Sequence, residues 1–161
     1  MSFSFSPIDE ESARIILNWH YDESLEFYNP NPCEIEETVQ EFLEPENAYY
    51  SIFNNRARLI AYCCFGADAR VKDGNYSIEA LDIGFGMDPN LTRRGITFRI
   101  INAVFDFAKN NFSTTLFRVT VAEFNKQALR ICEKAGFRQV EKFRREQDGI
   151  YFLVLTLHSS S

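Results

Sequence analysis

The residues of this 161-residue chain that point most directly to chemistry are Thr92-Arg93-Arg94-Gly95-Ile96-Thr97, just after Asp88-Pro89-Asn90-Leu91. They open an apolar helical stripe of Ile96, Ile100, Ile101, Val104, Phe105 and Ala108. A helix start presents unpaired N–H groups and the positive end of the helix dipole. Phosphate oxygens bound there are held by amides rather than side chains. Gly95 has no Cβ, so backbone and ligand can approach closely, and Arg93 and Arg94 add positive charge. The same residues also suit an ordinary helix start, so their context decides.

That context begins with Tyr76-Ser77-Ile78-Glu79-Ala80-Leu81-Asp82-Ile83-Gly84-Phe85-Gly86-Met87. The pattern predicts a strand from Tyr76 to Met87. Its apolar alternation changes phase near Leu81, as a β-bulge would make it do. One face then carries Asp82, Gly84 and Gly86. Paired glycines leave room along a strand, for a ligand or for packing by a neighbouring element. Further on, Val119-Thr120-Val121-Ala122-Glu123-Phe124-Asn125 leads into Ala128-Leu129-Arg130-Ile131-Cys132-Glu133-Lys134-Ala135-Gly136-Phe137. Asn125 suits a helix N-cap and Gly136 a left-handed helix stop.

The elements that must position these residues follow from the rest of the chain. Phe3 and Phe5 alternate with serines as a short strand. Asp9-Glu10-Glu11 opens a helix through about Tyr21, and a second runs from Ile35 to Leu43. Tyr49–Phe53 and Arg58–Phe65 pair across Asn54-Asn55. The long helix spans about Arg93 to Asn110, a strand Leu116–Ala122, and a helix Asn125–Ala135. Strands at Phe137–Phe143 and Ile150–Leu157 flank Asp148-Gly149. The order β-α-α-β-β-β-α-β-α-β-β is a mixed α+β domain over residues 1–158, with 159–161 expected to be a disordered tail.

Composition removes several function classes. The net charge is −6, which argues against nucleic acid as a partner. Residues 1–46 hold 12 acidic side chains and one arginine, a balance of −11, while the remainder carries +5. Cys33, Cys63, Cys64 and Cys132 form no C-x-x-C pair and only two histidines exist, so no metal site is expected. No stretch approaches the length and apolarity of a membrane span, the N-terminus does not resemble a secretory signal, and a cytoplasmic location is expected.

The blocks 81–108 and 119–137 resemble the GNAT superfamily (Gcn5-related N-acetyltransferases), and within it the bacterial type similar to ribosomal-protein-alanine acetyltransferases. The resemblance implies a seven-stranded mixed sheet, helices on both faces, splayed open for acyl-CoA between the strands ending at Met87 and Ala122. It assigns pantetheine to the backbone of Phe85, Gly86 and Met87, diphosphate to Thr92, Arg93, Arg94, Gly95, Ile96 and Thr97, and a cofactor hydrogen bond to Asn125. Acetyl-CoA is the implied co-substrate. The family pattern Gln/Arg-x-x-Gly-x-Gly/Ala meets Thr92 first and Thr97 last here, and the family's usual tyrosine acid falls at Cys132.

Direct acyl transfer needs a base for the amine, a donor for the oxyanion and a proton for the departing thiolate. Asp82 and Glu79 are the candidate bases, with Glu123 a third, and a backbone N–H near Met87 the candidate oxyanion donor. Cys132 is a candidate acid or a buried small hydrophobe. The acidic N-terminal stretch carries Trp19, Tyr21, Phe27, Tyr28, Tyr49 and Tyr50, which suits a cationic small-molecule or peptide amine. The alternative is a catalytically weak module of the same fold that binds acyl-CoA or a partner. A monomer or a homodimer is expected.

Overall fold

Asp9 starts the first helix. Its carboxylate accepts the Ser12 N–H at 2.8 Å, satisfying one of the donors a helix start leaves open. That bond holds the carboxyl below its usual range. The computed structural model describes residues 2–21, 29–91 and 94–159. The elements are β1 (Ser4–Pro7), α1 (Glu10–Leu17), α2 (Ile35–Leu43), β2 (Tyr49–Phe53), β3 (Leu59–Phe65) and β4 (Leu81–Met87). They continue with α3 (Arg94–Asn111), β5 (Leu116–Ala122), α4 (Lys126–Lys134), β6 (Arg138–Arg144) and β7 (Tyr151–His158). Seven strands form a sheet of order β1-β2-β3-β4-β5-β7-β6. β4 and β5 run parallel, whereas β1–β2, β2–β3, β5–β7 and β6–β7 are antiparallel. This is the mixed α+β sheet the element order implies.

Two boundaries differ from expectation by several residues. α1 stops at Leu17 rather than Tyr21, with Asn18 as its cap. β4 starts at Leu81, not Tyr76, so the phase change near Leu81 marks the beginning of the strand. Ile78 ahead of it is 68% exposed.

The chain divides into two compact units, Met1–Cys64 with Phe85–Ile100, and Phe65–Gly84 with Ile101–Ser161. In the first, α2 lays Phe42 on Tyr49 of β2, stacked at 4.2 Å between centroids. Tyr62 of β3 lies 5.9 Å from Phe42 and 6.4 Å from Trp19. Such rings contribute about 0.5–1.5 kcal/mol per pair beyond area burial. Arg14 links the two helices, bonding Glu36 at 2.9 and 3.1 Å and Glu10 at 3.0 Å. These bonds raise the guanidinium's pKa and lower that of Glu36, but the pair is exposed, so its worth is small and salt-screened.

In the second unit, β5 and β7 pair from Leu116↔His158 to Ala122↔Phe152. Cys132 at 0% exposure, Ala128, Leu129 and Ile131 make the buried side of α4. Gly136 ends that helix at φ +108°, a conformation that favours glycine. The Phe137 N–H then reaches back to the Cys132 carbonyl at 3.0 Å, and its ring packs on Phe105 at 4.7 Å. Among the described residues no helix is long and apolar enough to cross a membrane.

Candidate active site

Two backbone bonds fix β4 against β3. The Gly66 N–H donates to the Asp82 carbonyl at 2.8 Å, and the Asp88 N–H to the Ile60 carbonyl at 2.9 Å. The steps 60 to 66 and 82 to 88 are equal, so the register between them is unbroken. Even-numbered residues of β4 therefore address β3, and the alternation turns the N–H and C=O of Phe85 and Met87 to the opposite edge. The β4–β5 register ends at Ile83↔Val119, although β4 continues to Met87 and β5 to Ala122.

Gly86 has a reason inside the chain. A Cβ there would lie 2.5 to 2.8 Å from the ring and hydroxyl of Tyr62. The space predicted along the glycine-bearing face is, at Gly86, filled by that ring. The backbone edge at Phe85 and Met87 is a separate surface.

Beyond Met87 the chain turns on Asp88, which is 5% exposed. Its carboxylate accepts the Asn90 N–H at 2.9 Å and an Arg58 N–H at 3.1 Å, and its carbonyl accepts the Leu91 N–H at 3.0 Å. With Pro89 second, these bonds make a tight turn that delivers the chain to α3. Gly95 is in the first turn of this 18-residue helix. A Cβ on it would meet Arg99 Nη2 at 3.8 Å among the described residues, an ordinary contact, so packing does not demand glycine there. Ile96 is half-buried. Thr97 is 6% exposed, so its bulk is packed into the protein and only its amide bears on the helix start. Thr92 and Arg93 lie outside the described residues, as do Phe27 and Tyr28. Helix-start amides beside a glycine that no described residue obstructs fit a diphosphate.

In the second unit the predicted bases separate. Glu79 is exposed ahead of β4. Asp82 is 2% exposed, and both its oxygens are occupied. Arg118 donates to them at 2.6 and 2.8 Å, and Arg70 adds a bond at 2.8 Å. Arg118 is itself 3% exposed, and its third contact is to the Ile78 carbonyl at 2.7 Å. Its pairing with Asp82 raises its pKa. The Tyr76 ring packs against both guanidiniums, at 4.9 Å from Arg118 and 5.4 Å from Arg70. A carboxylate clamped this way is an ion-pair anchor, not one presented to an amine. Glu123 bonds Lys142 at 2.7 Å, which lowers its pKa.

Cys132 is fully buried. Burial, with the Glu133 charge adding, pushes its thiol up to about 12, an environment suited to a small hydrophobe rather than a proton donor. Cys132→Ala is expected to leave kcat within about twofold and to cost about 1 kcal/mol through the void it leaves. Turnover and a denaturation curve check both. Asn125 caps α4, its side chain accepting the Ala128 N–H at 3.3 Å.

Four residues with clear roles here had little local signal. Asp88 builds the turn, Arg118 holds Asp82, Tyr62 fills the space at Gly86, and Tyr21 donates its hydroxyl to the Met87 carbonyl at 2.6 Å. Two of them had a hint, Asp88 as the start of the segment leading into the long helix and Tyr21 as one of several aromatics in an acidic stretch.

A family model described as an acetyltransferase (GNAT) domain matches residues 3–138. No curated protein gives a significant match. Among solved structures, a chimera of the spermidine N-acetyltransferase SpeG from Vibrio cholerae and hSSAT is similar at 16% identity, covering 98% of this chain and 96% of that one, with a TM-score of 0.72. AAC(6')-Ib in complex with ribostamycin and coenzyme A is similar at 16% identity, 98% and 94% coverage and a TM-score of 0.74. The ribosomal-protein-S5-alanine acetyltransferase from Vibrio fischeri gives 12% identity, 98% and 93% coverage and a TM-score of 0.62.

Proposed function

The chain belongs to the GNAT acetyltransferase family, and from that premise we propose that it transfers an acetyl group from acetyl-CoA to a cationic amine, small or at a peptide terminus. The observation that carries the reading is the opening of α3, where Gly95 stands in the first turn and, among the described residues, no packing partner requires a glycine. Bound acetyl-CoA supplies an acyl carbon activated as a thioester. The first-turn amides with Gly95 hold its diphosphate, and Thr92, Arg93 and the Arg94 side chain are assigned to it from sequence alone. The outward edge of Phe85 takes the pantetheine amides, the Met87 carbonyl being held by Tyr21, and Asn125 is assigned a cofactor contact from family likeness alone.

The chemistry asks little more of the protein. The ammonium first gives one proton to a base, the neutral nitrogen then bonds to the acyl carbon, the carbon–sulfur bond breaks, and the nitrogen loses its second proton to solvent as the sulfur gains one. Asp82 is committed to Arg118 and Arg70, so we assign the proton acceptor to Glu79 acting through water. Glu79→Gln is expected to lower kcat about tenfold or more with little change in thermal stability. Equal kcat in the two proteins would remove Glu79 from the mechanism.

An amine acceptor is favoured by the acidic N-terminal stretch and by the half-buried rings of Trp19 and Tyr62 beside it. Desolvated cation–π contacts are worth about 2 kcal/mol. Two of the similar structures bear the names of a spermidine and an aminoglycoside acetyltransferase, which are also amine chemistries. Thiol release from acetyl-CoA, measured against polyamines, aminoglycosides and peptides with free N-termini, tests the reading. Preference for anionic acceptors would overturn it. Tight CoA binding with no turnover on any amine would favour a binding module, a reading that the buried Cys132 keeps open.

A further inference from the structure

Tyr21 does something the proposed roles do not use. Its hydroxyl donates to the Met87 carbonyl at 2.6 Å. Its own backbone is gripped on both sides by the Asn29 side chain, which accepts the Tyr21 N–H at 2.6 Å and donates to the Tyr21 carbonyl at 2.9 Å. The peptide between Met87 and Asp88 is thereby held at both ends, its carbonyl by Tyr21 and its N–H by the Ile60 carbonyl at 2.9 Å. Strand alternation places the Met87 carbonyl and the Met87 N–H on the same edge of β4, away from β3. The carbonyl on that edge is thus occupied by Tyr21, and the Met87 N–H faces the same way. The Met87 N–H belongs to the preceding peptide, and fixing the plane that follows narrows the Met87 dihedrals that set its direction.

We propose that Tyr21, gripped by Asn29, is a positioning residue that locks the end of β4 so that the Met87 N–H is aimed at the charge developing on the acyl oxygen. The proposal rests on the transferase reading above. It requires no contact between Tyr21 and the substrate. Pre-aimed donors act because they need no reorganisation during reaction, and small misplacements are costly.

The test compares wild type, Tyr21→Phe, Asn29→Ala and the double variant as full-length chains. Tyr21→Phe keeps the ring and removes only the hydroxyl. Two readouts are needed, steady-state kinetics with the best amine and amide hydrogen exchange at Asp88. The expected result for Tyr21→Phe is exchange at Asp88 faster by about fivefold or more, kcat lower by about tenfold, and CoA affinity and Tm close to wild type. Asn29→Ala moves both readouts the same way by less, and the double variant is no worse than Tyr21→Phe, since the two act through one bond. Unchanged exchange at Asp88 overturns the lock. Faster exchange with unchanged kcat overturns its role in transfer, as does a fall in kcat matched by equal losses of CoA affinity and Tm. Faster exchange in a protein whose wild type turns over no amine upholds the lock and defeats the transferase reading instead.

Discussion

Asp82→Asn is expected to lower stability by about 3–5 kcal/mol, the usual consequence of removing one partner of a buried ion pair. For a chain of this size that corresponds to a fall in Tm of roughly 6–20 °C. The cause is Arg118, which is 3% exposed and spends two of its N–H groups on Asp82. Asparagine keeps the shape but offers one acceptor oxygen and no charge, so the guanidinium is left buried and under-compensated. Arg70, which approaches from a more exposed position, shares Oδ2 with Arg118 and loses the charge of its partner. Replacing both buried partners, as Asp82→Leu with Arg118→Met, is expected to recover much of the loss, because the uncompensated charge goes with its partner. Urea denaturation of the three proteins measures this. A catalytic base at the same position predicts the opposite pattern. Asp82→Asn would then melt like wild type, lose turnover, and lose the acidic limb of its pH–rate profile. An unchanged Tm with that kinetic signature would return Asp82 to the chemistry.

The same residue shows what a sequence can and cannot reveal about a site. β2 and β5 have the bounds that their residue patterns predict, because Tyr49–Phe53 and Leu116–Ala122 are apolar, β-branched or aromatic runs with clear ends. The buried side of α4 was also legible, since Ala128, Leu129 and Cys132 recur at helical spacing. Asp82 was a polar residue in an apolar strand, and that much marked it as special. Its partner Arg118 is 36 residues away, and no local pattern joins the two. Tyr76 and Ile78 mimicked a strand by alternation. Yet the Tyr76 phenol is bonded to Thr120 at 2.9 Å and accepts the Val71 N–H at 3.0 Å, and the Ile78 carbonyl serves Arg118. These tertiary bonds override β-propensity. Gly86 made a similar point. A glycine announces close approach, but only the fold says that the approaching group is Tyr62.

Gly95 separates from Gly86 on this ground, and Gly95→Ala is expected to move stability and cofactor affinity in opposite directions. Among the described residues a Cβ at position 95 meets Arg99 Nη2 at 3.8 Å, an ordinary contact that displaces none of them. Alanine loses less backbone entropy than glycine on entering a helix, and the variant gains up to about 1 kcal/mol of stability. The same methyl stands where phosphate oxygens would meet the first-turn amides. Lengthening or losing one charge-assisted hydrogen bond costs about 1.5–3 kcal/mol, which is about 10- to 100-fold in the Kd for CoA. Thermal unfolding without ligand and calorimetric titration with CoA give the two signs separately. Gly86→Ala supplies the contrast. Its methyl would fall 2.5 Å from the Tyr62 ring, so the ring must move, and stability is expected to fall by about 1–3 kcal/mol, the range for overpacking. A glycine kept for packing is destabilised by its methyl, whereas a glycine kept for a ligand is stabilised by it and binds less well. Unchanged CoA affinity in Gly95→Ala would therefore take the diphosphate away from the start of α3.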